Sequence, residues 1–157
     1  MRVGIDLDGV LVGGPPFVPS WLLELLYRGP KDKKLHYRIP DSQAEIWIRR
    51  LSHNPFFRPP ISKNIEKLKN MNKDELFLVT SRFSFLQDKT KNLLQFYGLN
   101  KYFKDIVLNL GNEQPHIFKQ KTIEKLKLDV FIDDDKDLVS FLKKELPKVK
   151  FLTSLSK

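Results

Sequence analysis

Between residues 62 and 152, short apolar runs alternate with longer amphipathic segments, and this rhythm limits the fold more than any other feature. The pattern predicts helices over residues 62–71, 85–97, 117–126 and 136–146, with strands at 76–79, 105–108, 129–132 and 149–152. Gly98 stops the second of these helices. Parallel strands need a crossover, usually a helix, so strict alternation implies a parallel sheet covered on both faces. A further apolar strand opens the chain, from about Arg2 to Leu7. The segment from about 13 to 60 interrupts the rhythm and reads as mainly helical. Gly13-Gly14-Pro15-Pro16 breaks regular structure, Ser20 can cap a helix through Trp21, Leu22, Leu25 and Leu26, and Gly29-Pro30 ends it. Another helix is expected from Asp41, as N-cap, through Ile46 and Trp47 to Leu51, before the loop from His53 to Pro60. At 157 residues and without internal repeats, the chain fits one domain, 1–157, and is short for two.

The opening strand runs into Asp6-Leu7-Asp8-Gly9. In a strand, residues i and i+2 point the same way, so a strand persisting to Asp8 would project both acids from one side of its carboxyl end. Open α/β sheets bind ligands at that end. Two converging carboxylates repel unless a cation or a shared proton relieves them, which suggests a metal site or acid/base work. The plainer reading is a strand followed by an Asp-Gly turn. Two more strands end in polar clusters: strand 76–79 in Thr80-Ser81-Arg82, and strand 129–132 in Asp133-Asp134-Asp135. Lys119 and Lys121 stand upstream of the second cluster, at the start of a predicted helix.

Acidic pair, hydroxyl, lysine and acidic cluster, in that order, resemble the haloacid-dehalogenase-like (HAD) superfamily of Mg-dependent phosphohydrolases over nearly the whole chain. The resemblance implies an α/β HAD-like Rossmannoid fold, with segment 13–60 as a small helical cap inserted after the first strand. It implies Asp6 as nucleophile, forming an aspartyl-phosphate that splits one hard displacement into two easier ones. Asp8 becomes the general acid/base, with its backbone carbonyl on the metal. Thr80 would bind phosphate oxygens, joined by the Ser81 and Arg82 amides at a helix start, where successive N–H groups favour anions. The Arg82 side chain reads either as a phosphate or substrate clamp or as a surface arginine.

The family lysine neutralises nucleophile and phosphate. Lys119 stands 14 positions before Asp133, which suits the family spacing, and Lys121 is the alternative. Mg²⁺ takes carboxylate and water oxygens. In the family's pattern Asp134 is the direct ligand and Asp133 acts through water, beside Asp6 and Asp8, while Asp135 and Asp137 read as helix caps. His36, His53 and His116 are scattered and show neither zinc spacing nor a serine-triad context.

Residues 54–61, with Leu78-Val79-Thr80-Ser81 beyond, are similar to the 5'(3')-deoxyribonucleotidases. That likeness implies a nucleotide as the small anionic phosphorylated substrate, with Phe56, Phe57 and Trp47 stacking on its base. The rival reading packs these rings between cap and core. A net charge of +9 invites a nucleic-acid reading, yet lysines such as Lys63, Lys67, Lys69, Lys73, Lys143, Lys144, Lys148 and Lys150 are spread along amphipathic segments. Distributed lysine reads as solvated surface that attracts small anions. A polynucleotide substrate would need a basic channel leading from the site. A phosphatase of another metabolite and a catalytically silent binding protein also fit the sequence, because fold does not fix function. With 41% apolar and 11% aromatic residues the chain can build a packed core, and with no cysteine it has no disulfide, thiolate zinc site or cysteine nucleophile. No apolar run approaches membrane-spanning length, and Arg2 leading at once into a strand is no signal peptide, so a cytoplasmic protein is expected.

Overall fold

The computed structural model of the chain describes residues 1–16, 18–19 and 35–155. The helix expected after Ser20 lies outside them. Strands β1 (Arg2–Ile5), β2 (Glu75–Phe83), β3 (Asp105–Asn109), β4 (Val130–Ile132) and β5 (Lys150–Leu152) form one five-stranded sheet in the order β3-β2-β1-β4-β5. Every neighbouring pair is parallel. Five α-helices accompany the sheet among the described residues: α1 (Gln43–Ser52), α2 (Ser62–Lys69), α3 (Gln87–Phe96), α4 (Pro115–Leu126) and α5 (Lys136–Glu145).

The strands are apolar on both sides because both sides are covered. Val3 and Ile5 of β1, Leu76 and Leu78 of β2, and Val130 and Ile132 of β4 join one core with Leu68 of α2 and Leu93 and Leu94 of α3. The intervening residues Phe77, Val79 and Phe131 join the opposite core, with Phe118 and Ile123 of α4 and Leu138, Val139 and Leu142 of α5. This two-residue alternation is the strand period read twice, once for each layer of helices. Gly4 has no side chain to offer the second core, and Phe131 and Leu128 occupy the space: a Cβ there would stand 2.6 Å from Phe131 Cδ2 and 2.4 Å from Leu128 Cδ1.

Among the described residues the expected elements form, with shifted ends that matter for the site. β1 stops at Ile5 rather than Leu7. Asp6 still donates its N–H to the Ile132 carbonyl at 2.9 Å, but Leu11 and Val12 then turn back onto the Leu7 carbonyl, with Gly9 at a φ of +76°. Asp8 therefore lies in a turn, not on a continuing strand. β2 runs on through Thr80-Ser81-Arg82 to Phe83, with a register shift against β3 between Thr80 and Phe83. The Asn109 side chain braces this extension: Nδ2 donates to the Ser81 carbonyl at 3.4 Å and the Glu113 carbonyl at 2.7 Å. Helix formation is delayed to a 3₁₀ turn at Ser84–Leu86, ahead of α3. Ser42 rather than Asp41 caps α1, its hydroxyl accepting the Glu45 N–H at 3.2 Å.

The segment between β1 and α2 leaves and returns through one clasp. Gly13 donates to the Pro59 carbonyl at 2.8 Å and Ile61 donates to the Leu11 carbonyl at 2.9 Å. Among the described residues, no helix is long and apolar enough to cross a membrane. Overpacking a core with an added methyl costs about 1–3 kcal/mol, so Gly4→Ala is expected to lower the thermal midpoint by several degrees, measurable by circular dichroism. An unchanged midpoint would mean that Phe131 and Leu128 move aside freely.

Candidate active site

β1 lies between β2 and β4, so the order of connection reverses beside it, and a crevice opens there at the carboxyl ends of the strands. The residues that follow β1 and β4 meet in that crevice. α4 supplies their counter-charge. Pro115 opens this helix with a pre-set φ, and one turn later Lys119 lies on its buried side with Phe118, Thr122 and Ile123. The Lys119 ammonium is 2.6 Å from Asp133 Oδ2 and 3.1 Å from Asp6 Oδ1, with all three side chains buried. Asp133 Oδ1 accepts the Asp135 N–H at 3.0 Å, which turns the chain into α5. Asp134, the exposed member, completes the set: Asp6, Asp133 and Asp134 each offer an oxygen, all within 4.8 Å of one another.

Three carboxylates thus face one ammonium. Burial pushes the Asp6 carboxyl well above its ordinary pKa, and Asp133 and Asp8 push the same way against the pull of Lys119. Burial and Asp133 push Asp134 up to about 6. Burial works against the Lys119 charge, but Asp133 and Asp6 outweigh it and hold the ammonium above its usual range. The cluster is short of positive charge, and a divalent cation would reverse this balance. Its donors are all hard oxygens, as Mg²⁺ requires. Gly9 leaves the room: a Cβ there would stand 1.9 Å from Asp134 Oδ2. The residues present fit a magnesium site.

Asp8 belongs to a second charge cluster. Arg82 grips it with a fork, Nε on Oδ2 and Nη2 on Oδ1, both at 2.7 Å. Arg58 adds Nη1 at 3.4 Å from Oδ1. Burial alone would raise the Asp8 carboxyl, yet the Arg82 charge and hydrogen bonds, with Arg58, hold it far below the usual carboxylate range. Arg82 is itself buried, its Nη1 donating to Thr90 Oγ1 at 3.2 Å. Arg58 is fixed by the Ser52 carbonyl at 3.0 Å and by the His53 ring, 3.1 Å away.

Some expected partners stand elsewhere. Lys121 reaches out from α4 to pair with Glu113 at the surface, so only Lys119 faces the acids. Thr80 is buried within β2, and its hydroxyl accepts the Arg82 N–H at 3.4 Å. The Ser81 and Arg82 amides sit in extended β2, not at a helix start, and the Arg82 guanidinium serves Asp8 rather than the surface. Phe56 and Phe57 are 78% and 45% exposed, with Phe56 packing 5.7 Å from Phe96 between ring centroids. Arg58 and His53 are unforeseen members of the Asp8 cluster. The available signal was an arginine set between Phe57 and Pro59-Pro60, at the clasp that returns the chain to the core.

No family model matches the chain, and no curated protein does. Solved structures show what it resembles. An HAD family enzyme from Bacteroides thetaiotaomicron, in complex with magnesium and inorganic phosphate, superposes with a TM-score of 0.59 at 15% identity, covering 97% of this chain and 92% of that one. A haloacid-dehalogenase-like hydrolase from Streptococcus pneumoniae gives 0.57 at 15% identity over 96% and 82%. A chain of the Pnkp1/Rnl/Hen1 RNA repair complex gives 0.54 at 14% identity, covering 98% of this chain and 42% of that one. The fold is therefore that of the haloacid-dehalogenase-like superfamily.

Removing one partner of a buried ion pair costs about 3–5 kcal/mol. Lys119→Met is accordingly expected to lose stability of that order in urea titration at neutral pH without added metal. Lys121→Met, on the surface, is expected to change stability by less than about 0.5 kcal/mol. Equal small effects would contradict the central place given to Lys119.

Proposed function

We propose that this chain is a Mg²⁺-dependent phosphomonoesterase. The reading rests above all on the meeting of Asp6, Asp133 and Asp134 with buried Lys119 at the switch point of the sheet. In the first half-reaction an Asp6 oxygen attacks phosphorus, the ester P–O bond breaks, and the leaving oxygen takes a proton. In the second, water attacks phosphorus and the Asp6 O–P bond breaks, releasing phosphate. Lys119 stabilises the charge shared between Asp6 and the phosphoryl oxygens. Thr80, buried in β2 three residues before its carboxyl end, is the proposed hydroxyl partner of the phosphate. Asp6, Asp134 and the Asp8 carbonyl would hold Mg²⁺, with Asp133 acting through water. When bound, the cation supplies charge neutralisation and orients the phosphate.

Asp8 is the proposed proton carrier. Gripped by Arg82 and Arg58, its carboxylate is held ionised, and the same grip opposes its taking a proton from the attacking water. Protonating the leaving oxygen requires the arginine fork to let go. Arg82 thus acts through Asp8 as a positioning residue. We read residues 13–60 as the cap, supported by the clasp at Gly13 and Pro59 and by the reach of Arg58 and His53 to Asp8.

A nucleotide is the proposed substrate class, with Phe56 and Phe57 as base-stacking rings. Both are exposed, and they directly precede Arg58. A second reading, release of phosphate from a polynucleotide end, is favoured by a groove between α1 and α3 that carries Trp47, Arg50 and Lys89, and one structural neighbour belongs to an RNA repair complex.

A Mg²⁺ phosphatase screen over deoxynucleotides, ribonucleotides, sugar phosphates and 3'-phosphorylated oligonucleotides tests the reading. Turnover is expected to vanish with EDTA and in Asp6→Asn, which keeps the shape of the side chain but cannot attack, and Asp134→Ala is expected to raise the Mg²⁺ requirement more than Asp133→Ala. Sustained turnover by Asp6→Asn would overturn the nucleophile assignment.

Base stacking on an aromatic ring is worth about 1–3 kcal/mol. Replacing Phe56 and Phe57 together by Leu is therefore expected to lower kcat/KM for a nucleotide about five- to 150-fold, and for an aryl phosphate far less. Equal losses on both would show that the rings hold the cap instead.

A further inference from the structure

A groove of about 480 Å³ lies between α1 and α3, lined by Gln43, Ile46, Trp47, Arg50 and Leu51 of α1 and by Lys89 of α3. The α1 residues recur at i, i+3, i+4, i+7 and i+8, so they form one stripe, of the kind that a helix ordinarily buries. Here Trp47 is 61% exposed and Leu51 44% exposed. Among the described residues, the lining carries two cations and no acid. Phe96, two turns along α3 from Lys89, adds a further exposed ring beside Phe56.

Both walls of the groove are tied to Asp8, each by one arginine. On the α1 side, the carbonyl of Ser52, next to Leu51, accepts Arg58 Nε at 3.0 Å, and Arg58 Nη1 lies 3.4 Å from Asp8. On the α3 side, the hydroxyl of Thr90, next to Lys89, accepts Arg82 Nη1 at 3.2 Å, and the Arg82 fork holds Asp8 at 2.7 Å. The two helices that form the groove are therefore each linked, through one arginine, to the charge cluster at Asp8. Flat aromatic surface between cations, on a chain of net charge +9, suits a polyanion whose repeating units carry rings.

We propose that this groove is a track for single-stranded nucleic acid, with Trp47 stacking on a base, Arg50 and Lys89 meeting backbone phosphates, and the strand's terminal phosphate reaching Asp6. The terminal step rests on the phosphatase reading; the track is a binding property and is tested without turnover. The probe is a fluorescein-labelled single-stranded 12-nucleotide DNA, about the site size of one to three small binding folds, titrated into the Asp6→Asn protein and followed by anisotropy at several salt concentrations. Binding is expected to weaken steeply with salt. Trp47→Ala is expected to weaken it about five- to 150-fold. Arg50→Gln with Lys89→Gln is expected to lower the slope of log K against log salt by about 1.4, near 0.7 for each phosphate that is no longer neutralised. Trp47 and Arg50 are exposed and Lys89 is half-buried, so the variants are expected to keep close to the parent's thermal midpoint, and a circular dichroism melt verifies that each is folded.

Three results would overturn the track: no binding of the oligonucleotide beyond that of a poly-glutamate peptide, undiminished binding by folded Trp47→Ala, or a dimer in light scattering that Trp47→Ala dissociates. The last would make the face a contact between copies of the chain. Aryl phosphate turnover by the unaltered protein judges the catalytic reading separately. Turnover without oligonucleotide binding removes the track alone. Binding without turnover leaves the track and removes only the catalytic reading.

Discussion

The carboxyl edge of the sheet depends on one buried ammonium. Lys119 holds Asp133 at 2.6 Å and Asp6 at 3.1 Å, joining α4 to the ends of β4 and β1. Burying such charges is expensive, and it is tolerated only where partners and hydrogen bonds are complete. The consequences run outward from there. Asp133 takes the Asp135 N–H, Asp135 caps α5, and its second oxygen accepts the Tyr37 hydroxyl at 2.6 Å. Gln114, at the start of α4, receives the Tyr37 N–H and donates to the Tyr37 carbonyl. The segment that follows β1 is thereby pinned to the helix that carries Lys119.

A second node shares the remaining charge. Asp8 draws Arg82 from the sheet and Arg58 from the clasp, so one carboxylate links the core to the segment between β1 and α2. Both arginines are buried, and each is held by further acceptors, so neither is a free arm. The two acids of the Asp-Leu-Asp motif therefore have unlike surroundings. Asp6 lies in a cluster short of positive charge, and Asp8 in one supplied with it. The two carboxyl groups are thereby driven in opposite directions, Asp6 up and Asp8 down.

Much of this was legible in the residues. Apolar runs at regular separation named all five strands, because a strand buried on both faces has no polar side to show. The acids, the lysine and the hydroxyl stood out as candidates because each follows an apolar run or opens an amphipathic segment. The ends of elements were less legible. β2 outran its apolar run because Asn109, distant in sequence, braces the Ser81 carbonyl, and local composition carries no trace of that bond. Ser42 displaced Asp41 as cap, since both are good N-cap residues and only the geometry at Glu45 separates them.

By itself the sequence determined the parallel sheet with helices on both faces, since hydrophobic period and length are local properties of a chain. It also determined which residue types could carry chemistry, and it left Lys119 and Lys121 both open. Tertiary structure decided between them: α4 turns Lys119 toward the acids and Lys121 toward Glu113. It likewise decided that Arg82 serves Asp8, that Arg58 and His53 join it, and that Trp47 lines an open groove rather than the core. The physical reason is the same in each case. A charge or a ring chooses its partner by distance in space, and that distance exists only after the strands have been ordered.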